Sequence, residues 1–520
     1  MRTDNTFKNI KTALIGQSLG IILNFVSRIF FVKYLGAEYL GVNGLFTNIL
    51  SLLSLADLGI GSALVYSMYK PLAANDKNQI KSLMNFYAKV YNIIGIAILI
   101  LGLILLPFLN LLIKDRPDIP HLNFYYVLFL LNTVITYFYA YRRSIIIADQ
   151  KNYIVSYYHN LYIVVLNIIQ ILLLVTTKNY FLYLASQTIL IFVENYVIYV
   201  KSKKLYPYLN NIKGYKLDKV TLNTIIKNTK ALIYHKIGTV AVFSTDNLVI
   251  STFIGVFWVG LYSNYSLIVS ALNAIIGQFF NSFTASVGNL NASDDKNRTY
   301  YIFNVINFLN FWVIGFCSIC LLCLFNPFIT LWLGSKYLLD NATVLILVLN
   351  FYLMGMRKTP LIFKDAAGLF WNDRYKPIAE ATVNLVASII LVKYMGLIGV
   401  FIGTAISTIF VSLWIEPYVL YKHGFKKPLL NYFIRYSIYT VVVIVAFTLT
   451  QLSSSIFSGN SILSLIGKFI VCLTIPNLIF TLIFFKTAEF NHLKNVAINL
   501  FKKVSKKQYN KFAHIFKLDK

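Results

Sequence analysis

The chain has little charge and little cysteine, and each shortage excludes a class of protein. Only 13% of its 520 residues are charged, about half the share in a soluble domain, so a water-facing exterior cannot be covered. The four cysteines all lie in apolar runs, which argues against a disulfide framework. They are Cys317, Cys320, Cys323 and Cys472. Three of them have the spacing of metal ligands but no histidine nearby, so we interpret them as small apolar filler.

Two further motifs are missing from the chain. No G-x4-G-K-[ST] phosphate-binding loop occurs, because Gly467-Lys468-Phe469 lacks both the spaced glycine and the final Ser or Thr. No cleavable signal peptide is evident either. Arg2, Lys8 and Lys11 precede an apolar run of about twenty residues, which is too long for a signal sequence and is typical of an uncleaved first span.

Apolar residues are what the chain has in abundance, at 58% with a mean hydropathy of +0.67. This composition excludes a disordered chain and indicates an integral membrane protein. A membrane span needs about 20 mostly apolar residues, and the sequence contains fourteen such segments. They are 12–32, 40–68, 83–112, 122–141, 154–176, 180–200, 231–253, 257–288, 300–330, 337–356, 377–392, 397–420, 430–452 and 461–485.

The distribution of lysine and arginine predicts the orientation. Of the 47 such residues, 36 fall on the side of the N-terminus and only six on the opposite side, the rest lying within spans. Because cytoplasmic loops collect Lys and Arg, both termini are predicted to be cytoplasmic. The net charge of +28 is then mostly a signal of topology, and nucleic acid is not needed as a partner.

An internal repeat relates the two halves. The segment Lys33–Gly41, after the first span, and the segment Thr252–Gly260, after the seventh, both read Gly-x4-Gly at an offset of 219. Asn167 matches Asn384 at an offset of 217 residues. A basic pair after the fourth span matches a basic pair after the tenth span at an offset of 215 residues. Six spans per half is an even number, so the halves have the same orientation, as in transporters with parallel repeats.

We therefore predict an all-α integral membrane protein of about fourteen transmembrane helices. Two pseudo-symmetric six-helix lobes are followed by two C-terminal helices. The predicted divisions are an N-lobe at 1–204, a cytoplasmic linker at 205–230, a C-lobe at 231–425, spans thirteen and fourteen at 426–486, and a basic cytoplasmic tail at 487–520. The tail reads either as a helix on anionic membrane lipids or as a solvated tail that sets the topology.

Polar residues inside the spans are candidates for a central cavity, because each is costly in lipid. Helix-to-helix packing is the alternative, since polar and small residues also join helices in membranes. The predicted cavity residues on the first, seventh and eighth spans are Gln17, Asn24, Arg28, His235, Lys236, Asn273 and Asn281.

Arg28 is the most informative of these residues. A guanidinium at a lobe interface can bind a phosphate or a carboxylate through two parallel hydrogen bonds. It could instead snorkel to the outer interface or pair permanently with Asp57 or Asp246. Those two carboxylates could carry a proton or a sodium ion, or only balance Arg28. His235 and Lys236 suit a cytoplasmic gate or a contact with a lipid headgroup. No catalytic residue and no metal site is predicted.

Several segments together resemble one family. They are Ser27–Gly41, Ala56–Ala63, Ser244–Ser251 and Gly260–Tyr265. In order and spacing they are similar to bacterial polysaccharide-export flippases of the multidrug/oligosaccharidyl-lipid/polysaccharide transporter superfamily. The resemblance covers about residues 1–425.

The resemblance implies a flippase, not an enzyme, in the bacterial cytoplasmic membrane. Its substrate would be an undecaprenyl-diphosphate-linked oligosaccharide, moved from the inner to the outer leaflet for capsule, exopolysaccharide or O-antigen assembly. From the embedded carboxylates we expect coupling to a H⁺ or Na⁺ gradient, and no other cofactor is predicted. A polymerase and other polysaccharide-assembly proteins would be partners. The alternatives are an ion-coupled drug or metabolite exporter of the same superfamily, a flippase of lipid II or of a teichoic-acid precursor, a membrane polymerase or glycosyltransferase, and a scaffold. The predicted outer loops are too short for such an enzyme.

Overall fold

The structure is a computed structural model that describes residues 2–57, 60–212, 214–291, 295–459, 461–499 and 502. For residues 230–243 it describes the backbone alone. The described residues form helices joined by short connections and contain no strand. The predicted all-α membrane fold is confirmed.

One compact unit comprises the residues up to Ala271 together with Arg374–Ser407. Its helices are α1 (Arg2–Tyr34), α2 (Gly36–Leu53), α3 (Ile60–Ala73), α4 (Lys77–Leu105), α5 (Leu109–Leu112), α6 (Leu122–Ala148), α7 (Asn152–Thr177), α8 (Tyr180–Leu205), α9 (Lys219–Phe253), most of α10 (Val256–Asn281), α15 (Lys376–Met395) and α16 (Leu397–Ser407). We call it unit 1.

The second compact unit, unit 2, comprises Leu272–Asp373 and the residues from Thr408 onward. Its helices are the end of α10, α11 (Phe283–Asn291), α12 (Lys296–Trp332), α13 (Asn341–Met356), α14 (Lys358–Ala366), α17 (Leu413–Val419), α18 (Leu430–Ser454) and α19 (Ile462–Phe484). Two π-helical segments, Thr408–Ser412 and Leu420–Phe425, flank α17. The predicted lobe boundaries stay a prediction.

Twelve helices in the described part of the chain are long and apolar enough to cross a membrane. Each overlaps one of the fourteen predicted spans. The other two predicted spans, 40–68 and 231–253, are helical but are not among the twelve. The first is divided into α2 and α3, with a 3-10 turn at Ser54–Asp57 between them. The second lies inside α9, which carries His235, Lys236 and Asp246 and is less apolar for that reason.

Aspartate residues fix the beginnings of four long helices. Asp76, Asp218, Asp295 and Asp340 each precede a helix and accept a hydrogen bond from the backbone N–H three residues later. Such caps satisfy amide groups that have no partner within the helix. At Asp218 the hydrogen bonds from Thr221 lower the pKa of the carboxyl.

The repeated Gly-x4-Gly segments meet each other in unit 1. A Cβ added at Gly41 of α2 would lie 1.8 Å from the carbonyl oxygen of Val256, and one added at Gly260 of α10 would lie 2.0 Å from that of Ala37. Residues 37 and 256, and residues 41 and 260, are equivalent at the repeat offset of 219, so the two contacts are reciprocal. We call this contact the α2–α10 crossing. Only glycine lets the two backbones come so close.

We expect Gly260→Ala to lower the stability of the folded protein by about 1–3 kcal/mol, because the added methyl group forces the two backbones apart. Gly20→Ala on α1 is the control, since a Cβ there has nothing within 4 Å and alanine is the better helix former. Thermal unfolding in detergent measures both variants. A midpoint for Gly260→Ala equal to that of Gly20→Ala would contradict the expectation.

The segment predicted as a linker packs onto α6 and the loop that follows it in unit 1. Tyr206 donates a hydrogen bond to Asp149 at 2.7 Å, and Arg142 donates one to the carbonyl of Leu209 at 2.9 Å. Burial and the neighbouring carboxylate raise the pKa of Tyr206. The first part of the linker is therefore held by the end of α6 and by the α6–α7 loop.

A buried ion pair joins two helices of unit 2. Arg357, at the end of α13, binds Glu416 of α17 through two hydrogen bonds of 3.0 and 2.6 Å, and Glu416 is fully buried. Arg435 of α18 pairs with Glu489 at 2.5 Å but is 37% exposed. The first pair is the more costly to break, because the remaining charge would stay buried.

Glu416→Gln is therefore expected to destabilise the protein by about 3–5 kcal/mol. Glu489→Gln, which breaks the more exposed pair, should cost about 1 kcal/mol or less. Expression level and thermal unfolding of the two variants give the comparison. Equal losses would mean that burial does not decide the strength of these pairs.

The predicted basic tail is described only in its first part. Tyr301 and His492 lie in hydrogen-bond contact at 3.3 Å, so the tail begins against α12. Residues 503–520 lie outside the described residues, and with them the predicted lipid-binding surface.

Candidate functional site

Arg28 lies on α1, in the last third of the helix, and is half-buried. Its Nη1 donates hydrogen bonds to Oγ of Ser263 at 2.9 Å and to Oδ1 of Asn264 at 3.4 Å. Both partners are on α10. Tyr183 of α8 is within electrostatic range of the guanidinium. The first turns of α10 therefore fix one edge of the guanidinium in place.

The bonding of Arg28 bears on one of the alternatives raised by the sequence, a permanent ion pair. Within the described part of the chain, both of its hydrogen bonds come from Nη1, and it forms no ion pair with Asp57 or Asp246. Its Nε and Nη2 donors are not used by the described residues. A neutral serine and a neutral asparagine orient the group without cancelling its charge, which leaves two donors for an anion.

The other predicted residues of α1 lie on the same helix without joining this network. Gln17 is half-buried and Asn24 is exposed, and neither forms a side-chain hydrogen bond among the described residues. Near the middle of α1, Asn160 of α7 packs against Gly16. Of the three predicted cavity residues on α1, Arg28 is therefore the one whose side chain is hydrogen-bonded to another helix.

The remaining cavity candidates are on α9 and α10. Asn273 and Asn281 are exposed and belong to unit 2. The side chains of His235 and Lys236 lie outside the described residues. For these four residues a role in binding stays a prediction.

Asp246 of α9 is the centre of an oxygen-rich cluster in unit 1. Thr404 of α16 lies with its Oγ1 3.5 Å from both carboxylate oxygens of Asp246. Asn384 of α15 donates to the same hydroxyl at 2.9 Å and accepts from Thr245 at 3.4 Å. Ser388, one turn further along α15, donates to the carbonyl of Val400. Side chains of three helices are therefore joined in one hydrogen-bond network, in which the hydroxyl of Thr404 faces the carboxylate of Asp246.

The arrangement around Asp246 is suited to a small cation. Asn384 is fully buried, and both Ser388 and Thr404 are nearly so, whereas Asp246 itself is half-buried. A single carboxylate with neutral oxygen ligands can bind a proton or a hard monovalent cation. No cluster of three or more His, Cys, Asp or Glu side chains that could hold a metal ion occurs among the described residues.

Asp57 lies in a different setting. It ends the 3-10 turn that separates α2 from α3, and its carboxylate acts electrostatically on Tyr91 and Tyr137. A Cβ at Gly61 would lie 2.8 Å from the Tyr91 hydroxyl, so the chain passes close to that ring. The interruption of the helix at an embedded carboxylate agrees with the glycine-rich sequence that follows it.

Several residues of the site were not predicted from the sequence. Ser263 and Asn264 lie in Gly260–Tyr265, one of the segments that carry the family resemblance, but neither they nor Thr404 are among the predicted cavity residues. Asn384 had been noted only as the partner of Asn167 in the repeat. Their polarity within otherwise apolar spans was the available signal, but nothing in one sequence says which distant polar residue faces which.

The MatE family model matches residues 13–173. Among solved structures, the chain is similar to the lipid II flippase MurJ in an inward closed conformation, at 16% identity and a TM-score of 0.65, over 92% of this chain and 98% of that one. It is similar to an inward-facing multidrug resistance MATE transporter at 16% identity and a TM-score of 0.61, over 78% and 96% of the two chains.

A mutant MATE transporter of Vibrio cholerae matches at 12% identity and a TM-score of 0.54, over 82% and 99% of the two chains. Comparison with curated proteins gives no match. The chain is thus a multi-pass membrane protein that has a MatE match in its first third and the fold of these transporters. The match to the MatE model agrees with the coarser part of the resemblance, and the polysaccharide-export role stays a prediction.

Proposed function

We propose that the protein is a transporter that moves undecaprenyl-diphosphate-linked oligosaccharides from the inner to the outer leaflet of a bacterial cytoplasmic membrane. Transport would occur by alternating access between two lobes, without chemical conversion of the substrate. Both termini would be cytoplasmic. The oligosaccharide would serve capsule, exopolysaccharide or O-antigen assembly, and a polymerase would be the protein that receives it.

The observation that carries the proposal is the state of Arg28. A permanently charged group inside a span is costly. Such groups are therefore rare, and those that occur usually mark a functional site. Here two neutral side chains of α10 orient it, and two of its donors are unused by the described residues. A diphosphate headgroup offers several acceptor oxygens to such a guanidinium. A fixed positive charge repels a cationic substrate, so this residue does not favour an exporter of cations.

The similarity to MurJ supports transport of a lipid and makes lipid II the second candidate substrate. Lipid II and lipid-linked oligosaccharides share a polyprenyl diphosphate, so Arg28 suits both. The similarity to multidrug transporters keeps a soluble substrate as a third candidate, which the charge of Arg28 disfavours.

We further propose that a gradient of H⁺ or Na⁺ drives transport through Asp246. The cluster of Thr404, Asn384 and Asp246 supports this role, because it places an embedded carboxylate in a network with a buried hydroxyl and a buried amide. Asp57 is the alternative site for the coupled ion.

The test is the sidedness of lipid-linked oligosaccharide in a deletion strain. Intact cells are treated with an impermeant lectin or with periodate, and lipid II is measured in the same extracts. We expect oligosaccharide units to accumulate on the inner leaflet, and plasmid-borne protein to restore their exposure. Accumulation of lipid II instead would move the proposal to that substrate, and unchanged sidedness of both lipids would contradict a flippase.

A further inference from the structure

The two residues that hold Arg28 also bind the backbone at the α2–α10 crossing. Ser263 accepts from Arg28 and donates to the carbonyl of Gly260 at 2.8 Å. Asn264 accepts from Arg28 through Oδ1 and donates to the same carbonyl through Nδ2 at 3.3 Å. Gly260 is the glycine of α10 that packs against the backbone of α2. Arg28 is therefore connected to the crossing through two side chains.

The chain connects them a second time. α1 ends six residues after Arg28, and the chain turns through Gly36, which has a φ of +87°. α2 then contacts α10 at Ala37 and Gly41. Arg28 and Gly41 are thus two attachment points of one helical elbow on the same stretch of α10. If the hydrogen bonds of Arg28 are lost, the backbone contacts of α10 with Ala37 and Gly41 remain.

The crossing itself is suited to opening and closing. It consists of glycine backbone atoms against carbonyl oxygens, and interactions of this kind are weak individually. Val259, which lies beside it, is fully buried, and a Cβ at Gly44 would lie 3.1 Å from its Cγ1. Separation of α2 from α10 would therefore expose Val259.

We propose that the link from Arg28 to Ser263 and Asn264 is a latch, which keeps the α2–α10 crossing closed until an anionic headgroup occupies Arg28. The proposal rests on the proposed function, and it places the crossing on the predicted outer side. A diphosphate adds attraction between opposite charges, which the neutral Ser263 and Asn264 do not offer, and it can bind the guanidinium through Nε and Nη2. In this scheme the guanidinium moves towards the diphosphate, so that Nη1 leaves Ser263 and Asn264 and one attachment is released. Ser263 and Asn264 are positioning residues in this scheme.

The experiment uses a single reporter thiol. Val259→Cys is introduced into full-length protein whose four native cysteines are replaced by alanine. The protein is placed in nanodiscs, and the rate at which an impermeant maleimide labels the reporter thiol is measured. The probes are undecaprenyl diphosphate and, as the uncharged control, undecaprenol. Ser282→Ala is the matched control variant, because Ser282 makes the same bond to a carbonyl three residues earlier but does not contact Arg28.

We expect undecaprenyl diphosphate, but not undecaprenol, to raise the labelling rate of the reporter thiol severalfold. Ser263→Ala combined with Asn264→Ala should give the raised rate without any lipid and should not respond to the diphosphate. Should the double variant fold poorly, Ser263→Ala alone should give an intermediate rate. Ser282→Ala should behave as the parent does.

Two results would overturn the latch: labelling in the Ser263 and Asn264 variants equal to that in Ser282→Ala, or no response of the parent to the diphosphate. The measurement does not depend on transport. A response of the reporter thiol to the diphosphate in a protein whose deletion leaves lipid sidedness unchanged would therefore support the latch while contradicting the proposed substrate.

Discussion

Arg28→Ala is expected to reduce export of the lipid-linked oligosaccharide by about 10- to 100-fold, while the protein remains in the membrane. A hydrogen bond to a charged group contributes about 1.5–3 kcal/mol, and each 1.4 kcal/mol corresponds to a factor of about ten. The variant loses the donors that the described residues leave unused. The measurement is outer-leaflet exposure of the lipid in a deletion strain that carries the variant.

Arg28→Lys separates charge from geometry. Lysine keeps the positive charge but lacks the planar fork that binds two oxygens at once. Its one nitrogen would have to donate to Ser263, Asn264 and the anion together, so it should also bind Ser263 and Asn264 less well. We expect partial export, between the levels of the parent and of Arg28→Ala.

Lys33→Ala is the control for charge on the same helix. Lys33 is exposed in the last turn of α1, and its ammonium lies over the ring of Tyr34. Export should stay within about twofold of the parent, since exposed cations contribute little. Normal export by a stably expressed Arg28→Ala protein would remove Arg28 from the proposed binding site.

The sequence predicted the helices well because lipid imposes a simple rule on them. Every span must be long and apolar and must satisfy its own backbone, so the apolar runs locate the helices directly. The exceptions are two segments that carry candidate site residues. Ser54–Asp57 interrupts one predicted span, and α9 carries His235, Lys236 and Asp246 within another. Polar residues weaken the apolar signal at the places where a site is expected.

The candidate site was predicted only in part, because its contacts join residues far apart in the chain. Arg28 and Asp246 stood out as embedded charges, whereas their neutral partners did not. Ser263 is 235 residues from Arg28, and Thr404 is 158 residues from Asp246. The repeat did predict that the Gly-x4-Gly segments were equivalent. It did not predict that they touch, since symmetry relates two segments without fixing the distance between them.

Asp246→Asn is expected to remove the dependence of transport on the proton or sodium gradient. Asparagine keeps the size of the side chain and can still accept from Thr404, so the cluster should remain folded. It carries no charge, however, and a bound cation would lose its only carboxylate in the cluster. Transport in proteoliposomes should then proceed equally with and without an imposed gradient, and lipid should only equilibrate between the leaflets.

Thr404 provides the matched pair of variants for this cluster. Thr404→Ser keeps the hydroxyl that faces Asp246 and should retain gradient dependence, whereas Thr404→Val keeps the shape and should weaken it. Asp57→Asn tests the other embedded carboxylate in the same assay. If Asp57→Asn loses gradient dependence and Asp246→Asn behaves normally, the binding site of the coupled ion is at the α2–α3 turn. If both variants respond to the gradient as the parent does, neither carboxylate carries the ion, and the Asp246 cluster serves to hold α9, α15 and α16 together.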